Sequence, residues 1–162
     1  AGEAAVRIDP KYAEGYSNLG YVHRQLGRPL SALSSLDEAI RLDPEFGAAY
    51  NNRGLVYADL DNHEQAIEDY DEAIRLDSSN LQAYLNRGVE YVDLGRPESA
   101  LQDSEQVIRL DPRRAGAYAL RAMAYTQLGA DVEAGQDLTR AVNLGFSRPS
   151  LEATIEDLKS RR

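Results

Sequence analysis

The side chains that could carry out chemistry are few and scattered in this 162-residue sequence. It contains two histidines, His23 and His63, and no cysteine, so it offers neither a thiolate nucleophile nor the Cys and His cluster of a zinc site. Asp69 and Asp71 lie two residues apart, cannot share one helix face, and lack the central glycine of a calcium loop. The glycine-rich loop that cradles a nucleotide phosphate is also missing. We therefore expect a protein that is not an enzyme, with no catalytic residue, no metal site and no cofactor.

The composition narrows the classes of partner. The net charge is -9, which argues against nucleic acid and against an anionic membrane surface, because both require a basic face on the protein. No apolar run approaches the roughly 20 residues that span a bilayer. The first residues also lack the basic and apolar regions of a signal peptide. We therefore expect a cytoplasmic protein that does not insert into membranes.

Two short phrases recur in the sequence with a period of 34 residues. The phrase Glu-Ala-Ile-Arg-Leu-Asp begins at Glu38 and at Glu72, and a weakened version begins at Gln106. The phrase Tyr-Asn-Asn-Arg-Gly begins at Tyr50 and returns as Tyr-Leu-Asn-Arg-Gly from Tyr84. Two unrelated phrases that share one period indicate a chain built from stacked structural repeats.

Each repeat is predicted to form two helices. Glycines that can adopt the left-handed conformation are expected to end the first helix; they are Gly27, Gly95 and Gly129. In the second repeat Asp61 has to take this role, although it tolerates the conformation less well. Pro29 and Pro97 are expected to begin second helices. Asp43 and Asp111, each followed by proline, are predicted to cap the first helix of the next repeat.

The order of small and large residues completes the pattern. Small residues recur where the two helices of a repeat must approach closely, at Gly20, Gly54, Gly88 and Ala122 and at Ala32, Ala66, Ala100 and Ala134. Large apolar residues occupy another row, at Leu33, Ile67 and Leu101. A 34-residue helical hairpin with these positions resembles the tetratricopeptide repeat (TPR), over nearly the whole chain. The resemblance implies an all-α fold, a right-handed superhelical α-α solenoid with a C-terminal capping helix.

The resemblance also divides the chain. It implies four full repeats, at 13–46, 47–80, 81–114 and 115–148. Residues 1–12 resemble the second helix of a preceding repeat, and residues 149–162 are expected to form the capping helix. Because the first hairpin is severed and the chain does not begin with Met, we expect a segment of a longer array. The fourth repeat is expected to pack differently, since Gly135 lies inside its second helix.

In TPR proteins the first helices line a concave groove, and one row of this groove carries asparagine in three repeats. The predicted peptide-binding residues are Asn18, Tyr21, Asn51, Asn52, Leu55, Asn86 and Val89. An amide offers both a donor and an acceptor, as a peptide backbone does. The row resembles the asparagine ladder by which members of the family hold extended peptides. Because Leu120 takes the place of asparagine in the fourth repeat, the groove is expected to include Leu120 and to become apolar towards the C-terminus. Duplication of one ancestral repeat would also explain the three asparagines.

Several alternatives stay open at this point. The leading hypothesis is a scaffold that binds a protein or peptide partner, and the lysines that clamp a terminal carboxylate in some TPR proteins are missing. A self-associating homo-oligomer, joined through the open N-terminal edge, is the second hypothesis, and a regulatory domain of a larger protein is the third. The second repeat holds eight carboxylates against two arginines. Its acidic helix, with Glu68, Asp69, Asp71 and Glu72, is expected to face mostly outwards as a solvated surface or, less simply, a docking patch for a basic partner.

Overall fold

The computed structural model describes residues 10–161, and every regular element in that range is an α-helix. The helices are α1 Pro10–Gln25, α2 Pro29–Leu42, α3 Gly47–Asp59, α4 His63–Leu76, α5 Leu81–Asp93, α6 Pro97–Leu110, α7 Ala115–Gln127, α8 Asp131–Asn143 and α9 Arg148–Ser160. The predicted all-α fold is confirmed. The predicted remnant at 1–12 lies outside the described residues as far as residue 9, and its last three residues belong to α1.

The helices fall into two compact units that divide between Ser78 and Ser79. In the first unit α1 packs on α2 and α3 packs on α4, and the two helical hairpins are joined by contacts of α3 with α1 and α2. In the second unit α5 packs on α6 and α7 packs on α8. There α7 also contacts α5 and α6 on one side and α9 on the other. Each unit is therefore a stack of helical hairpins, in which one hairpin buries the apolar side of the next.

The predicted ends of the first helices are confirmed. Glycines at these ends have positive φ, of 66° at Gly27, 66° at Gly95 and 77° at Gly129. The backbone N–H of the next residue then bonds to a carbonyl of the last helical turn, as in the 2.9 Å bond from Arg28 to His23. Asp61 has φ 56° and closes α3 in the same way, with the N–H of Asn62 bonded to Tyr57 at 2.9 Å.

At the starts of the helices, the predicted role of the prolines is confirmed and the predicted capping by aspartate is wrong. Pro29 and Pro97 are the first residues of α2 and α6, as expected. Asp43 does not cap α3, which begins at Gly47. Its backbone is extended, with φ -139° and ψ 93°, and its Oδ1 accepts the backbone N–H of Glu45 at 3.0 Å. The same turn occurs at Asp111, so these carboxylates stabilise the link between repeats rather than the helix that follows.

The close approach of the two helices in a hairpin is also confirmed. A Cβ atom on Gly20 would lie 2.5 Å from Cγ of Leu36, and one on Gly54 would lie 2.6 Å from Cε1 of Tyr70. Both of these large side chains are completely buried. Around them lie alanines of 0% exposure, at Ala32, Ala39, Ala66 and Ala73. Small residues on one helix therefore make room for one large side chain from the other.

The last predicted helix forms as α9. Its apolar residues Leu151, Ile155 and Leu158 are 2%, 5% and 5% exposed, because they recur at spacings of four and three and so lie on one face. That face packs on α7 and α8, with Leu151 and Ile155 against Tyr118, Ala119 and Ala122. The opposite face of α9 is polar and exposed.

The left-handed residue in the second repeat generates a stability prediction. We expect Asp61→Gly to stabilise the protein by about 0.5–1 kcal/mol, because glycine adopts positive φ without the steric cost that a Cβ atom brings. Urea denaturation followed by circular dichroism measures the change. Gly95→Ala is the matched opposite and should destabilise by about 1 kcal/mol. A destabilising effect of Asp61→Gly would contradict the explanation.

Candidate functional site

The predicted groove residues of the first unit lie on α1 and α3, which contact one another. Asn18 is exposed and Tyr21 is 48% exposed. Asn51, Asn52 and Leu55 are half-buried. Two adjacent helices therefore present amide, aromatic and aliphatic side chains together, outside the close-packed contacts of each hairpin.

One of these amides also has a role inside the fold. Nδ2 of Asn52 donates a hydrogen bond of 3.0 Å to Oγ of Ser17, a residue that is only 2% exposed. The bond links α3 to α1 and orients the Asn52 amide. It gives asparagine a structural purpose at this position that does not require a ligand.

In the second unit the remaining groove residues, Asn86 and Val89, lie on α5. Val89 is 40% exposed, and Asn86 is half-buried. Oδ1 of Asn86 accepts a 2.8 Å hydrogen bond from Nε2 of Gln82, whose Oε1 in turn accepts from Arg114 at 3.0 Å. This part of the surface is thus a polar network on α5 beside an exposed valine.

The expectation that Leu120 lies in the groove is wrong. Leu120 is 1% exposed and contacts Gly88 of α5, where a Cβ atom would clash with it. The reason lies in α6, which carries Ser104 at the position that Leu36 and Tyr70 occupy in the first two hairpins. Ser104 is too small to fill the space over Gly88, so the next first helix supplies Leu120 for the core.

Among the described residues, three ion pairs that join the two helices of a hairpin were not predicted from the sequence. Each joins an arginine of a first helix to an aspartate 16 residues later, through two hydrogen bonds of 2.5–2.9 Å; the pairs are Arg53–Asp69, Arg87–Asp103 and Arg121–Asp137. The aspartate side chains are only 6%, 5% and 9% exposed. The signal was present in the sequence, because both residues recur with the repeat period. In the first repeat Leu19 and Ser35 occupy the two positions.

The same guanidinium groups lie over tyrosine rings. Cζ of Arg87 is 5.5 Å and 5.8 Å from the ring centres of Tyr84 and Tyr91, and Arg121 is placed in the same way against Tyr118 and Tyr125. Contacts of a guanidinium with an aromatic face add to the two hydrogen bonds. The recurring tyrosines therefore help to stabilise the guanidinium groups of the ion pairs.

The second repeat shows the electrostatics of such a pair. The hydrogen bond with Asp69 raises the pKa of Arg53, which also bonds to Asp37 of α2 at 2.7 Å. For Asp69, burial outweighs the hydrogen bond from Arg53 and raises the pKa of the carboxyl. Asp69 thus depends on Arg53 for its charge. The expectation that Asp69 faces outwards is wrong, whereas Glu68 and Asp71 are exposed.

None of the helices between residues 10 and 161 is long and apolar enough to cross a membrane. The paired charges are used inside the hairpins, and the surface of the first helices presents amide and apolar groups. Repeated two-helix units with left-handed turns and matching internal pairs define the molecule as an α-helical repeat protein.

The chain belongs to the tetratricopeptide repeat family, whose family model matches residues 17–80 and 85–150. No curated protein matches the sequence. Among solved structures, the crystal structure of MamA is similar, with 28% sequence identity and a TM-score of 0.76, over 84% of this chain and 80% of that one.

Two further structures share the fold. TTC0263, a thermophilic TPR protein in Thermus thermophilus, is 22% identical with a TM-score of 0.77, over 92% of this chain and 82% of that chain. The first TPR of Spaghetti (RPAP3), bound to the HSP90 peptide SRMEEVD, is 24% identical with a TM-score of 0.73. That match covers 77% of this chain and 99% of the other.

The buried pair of the second repeat generates a prediction about stability. We expect Arg53→Leu to destabilise the protein by about 3 kcal/mol, because it leaves the Asp69 carboxylate buried without its counter-charge. The double variant Arg53→Leu/Asp69→Ser should lose much less, since it reproduces the Leu19 and Ser35 pair of the first repeat. Urea denaturation of the wild type and both variants gives the comparison.

The pH dependence of the single variant provides the control. Without Arg53 the folded-state pKa of Asp69 lies above the unfolded value, so the folded state takes up the proton first. The stability deficit of Arg53→Leu should therefore shrink as the pH falls through that folded-state pKa. A double variant as unstable as the single one, or a deficit that grows on acidification, would contradict the explanation.

Proposed function

We propose that this TPR protein is a scaffold that holds an extended peptide segment of a partner protein against the exposed faces of α1 and α3, two first helices of the same unit. Binding of protein or peptide partners fits the family, and the fold relative from Spaghetti (RPAP3) is bound to a peptide. The absence of an apparent catalytic constellation in the sequence favours a scaffold that is not an enzyme.

The exposed face of α1 carries the proposal, because it presents Asn18 and Tyr21 outwards although neither is needed for close packing. Tyr21 is 48% exposed, whereas Tyr70 in the core is 0% exposed. An amide beside an aromatic ring offers hydrogen bonds to a peptide backbone and a flat apolar surface to its side chains. Leu55, half-buried on α3, would extend the apolar contact.

The side chains around this surface favour an internal segment of the partner over a free C-terminus. A terminal carboxylate calls for cations, whereas the peptide-binding residues predicted from the sequence are all uncharged. Arg24, which is near the end of α1, is held by Asp59 in two hydrogen bonds of 2.6 Å and 2.9 Å. A segment held through its backbone and apolar side chains matches this surface better.

The asparagines provide the test. Peptides that bind the chain can be selected from a random peptide library and their affinities measured by fluorescence anisotropy. We expect Asn18→Ala/Asn52→Ala to weaken the selected peptides by at least about tenfold, since each neutral hydrogen bond contributes about 1 kcal/mol. Helicity should stay unchanged.

Two controls sharpen this test. Asn143→Ala removes an exposed amide from α8 and should leave the affinity unchanged. Tyr21→Ala should weaken binding, whereas Tyr12→Ala, at a tyrosine that is 65% exposed nearer the start of α1, should not. Selected peptides that bind Asn18→Ala/Asn52→Ala as tightly as the wild type would overturn the asparagine proposal.

Self-association is the second candidate function, and exposed apolar residues at the N-terminal hairpin favour it. On α1, Tyr12, Tyr16 and Leu19 are 65%, 38% and 44% exposed. They line a surface cavity of about 260 Å³ together with Gly15. In the second repeat Arg53 occupies the position of Leu19, and it bonds to Asp37 of the preceding hairpin. A second copy of the chain would cover these residues by a comparable contact.

Sedimentation velocity over a range of concentrations tests this candidate. If copies associate through α1, Leu19→Glu should shift the chain to monomer, because a carboxylate would be buried without a partner. Val132→Glu, at a valine that is 70% exposed on α8, is the matched control and should leave association unchanged. A wild-type chain that stays monomeric at high concentration contradicts self-association.

A further inference from the structure

The fourth hairpin contains a groove that the other hairpins fill. It lies between α8 and α9, has a volume of about 390 Å³, and has Ala134, Gly135, Leu138 and Ile155 among its lining residues. Gly135 occupies the position that holds Leu33, Ile67 and Leu101 in the first three hairpins. Nothing lies within 4 Å of where its Cβ atom would be. The space that a large aliphatic side chain takes elsewhere is therefore open here.

Glycine at this position is not explained by the packing of the chain. Inside a helix it costs about 1 kcal/mol relative to alanine, and Gly135 is exposed within α8. In contrast to Gly20 and Gly54, which make room for Leu36 and Tyr70, it makes room for no side chain of its own unit. An opening of this kind suits a side chain supplied by another molecule.

The second wall of the groove is charged. Glu152 and Glu156 of α9 line it, at positions where the preceding first helix, α7, carries Tyr118 and Ala122. Both glutamates are exposed, and their partners, Arg148 at 3.1 Å and Lys159 at 3.3 Å, are exposed residues of the same helix. Such pairs contribute little and exchange readily.

Charge then decides what can occupy the groove. With Asp131 from α8, three carboxylates line it against the single ammonium group of Lys159. A purely apolar helix, like the second helix of another repeat, would remove these charged side chains from water without offering them any hydrogen bond, which is unfavourable. A helix that carries a large aliphatic residue between lysines or arginines offers an apolar side chain to the opening above Gly135 and cations to the carboxylates.

We propose that the groove between α8 and α9 is a docking site for a basic amphipathic helix of a partner protein. A leucine or isoleucine of that helix enters the space above Gly135 and contacts Leu138 and Ile155. Its flanking cations bond to Glu152 and Glu156. The site is separate from the exposed faces of α1 and α3 and does not depend on the function proposed for them.

The probe for this site is a capped helical peptide of leucine, lysine and alanine, with leucines at helical spacing on one face and lysines beside them. A second peptide carries glutamate at every lysine position. We expect the lysine peptide to bind the wild-type chain at least about tenfold more tightly than the glutamate peptide in fluorescence anisotropy at low salt. No detectable binding of the lysine peptide would overturn the proposal.

Variants of the groove locate the binding. Gly135→Leu restores the row of Leu33, Ile67 and Leu101, and should raise the melting temperature while weakening the lysine peptide by at least about tenfold. Gly15→Leu is the matched control, because Gly15 is also an exposed helical glycine with nothing within 4 Å. It should leave the affinity unchanged. Equal affinity for the wild type and both variants would overturn the proposal.

Reversal of the charge completes the experiment. Glu152→Lys/Glu156→Lys should weaken the lysine peptide and strengthen the glutamate peptide, which a change in fold alone would not do. The Asn18→Ala/Asn52→Ala variant should bind the lysine peptide as the wild type does. A peptide that loses affinity for that variant and keeps it for Gly135→Leu occupies the first helices instead, which would refute the groove and leave the scaffold function standing.

Discussion

The architecture depends on the close approach of the two helices within a repeat. A Cβ atom on Gly20 would lie only 2.5 Å from Cγ of Leu36, and one on Gly54 only 2.6 Å from Cε1 of Tyr70, so glycine makes both contacts possible. A hairpin packed this closely still has an apolar side that it cannot bury alone, so the neighbouring hairpin must cover it. The second unit shows how strict this constraint is. Where Ser104 is too small to fill the space over Gly88, the core takes Leu120 from the next helix.

Within this apolar frame, charge is used inside the hairpins as well as on the surface. The arginine–aspartate pairs join first and second helices through aspartates that are less than 10% exposed, at Asp69, Asp103 and Asp137. A buried pair of this kind is weak evidence for net stability, but the loss of one partner is costly. It also fixes which residue of one helix lies opposite which residue of the other. The first repeat, with Leu19 and Ser35, shows that the fold does not require the pair in every hairpin.

The two proposed binding surfaces consist of side chains and space that this packing leaves exposed. On α1 and α3 the exposed Asn18 and Tyr21 lie beside half-buried amides, which suits a peptide backbone. Between α8 and α9, the glycine at 135 leaves an opening that carboxylates surround. The two surfaces differ in chemistry because one uses the ordinary exposed face of first helices and the other results from a missing side chain.

The repeat, the helical hairpin and the family could be predicted from the sequence alone, because the period, the glycine turns and the rows of small residues are local or strictly periodic signals. The sequence also placed Leu151, Ile155 and Leu158 on the buried face of the last helix. The recurrence of Arg53 and Asp69 with the repeat period marks them as a possible pair, but whether Asp69 bonds to Arg53 or faces water depends on how two helices lie together. For the same reason, the packing of the helices had to be known to see that Leu120 belongs to the core, that Asn52 bonds to Ser17, and that the space above Gly135 stays open. Burial and vacancy are properties of packed neighbours, and they follow from the sum of many contacts rather than from spacing along the chain.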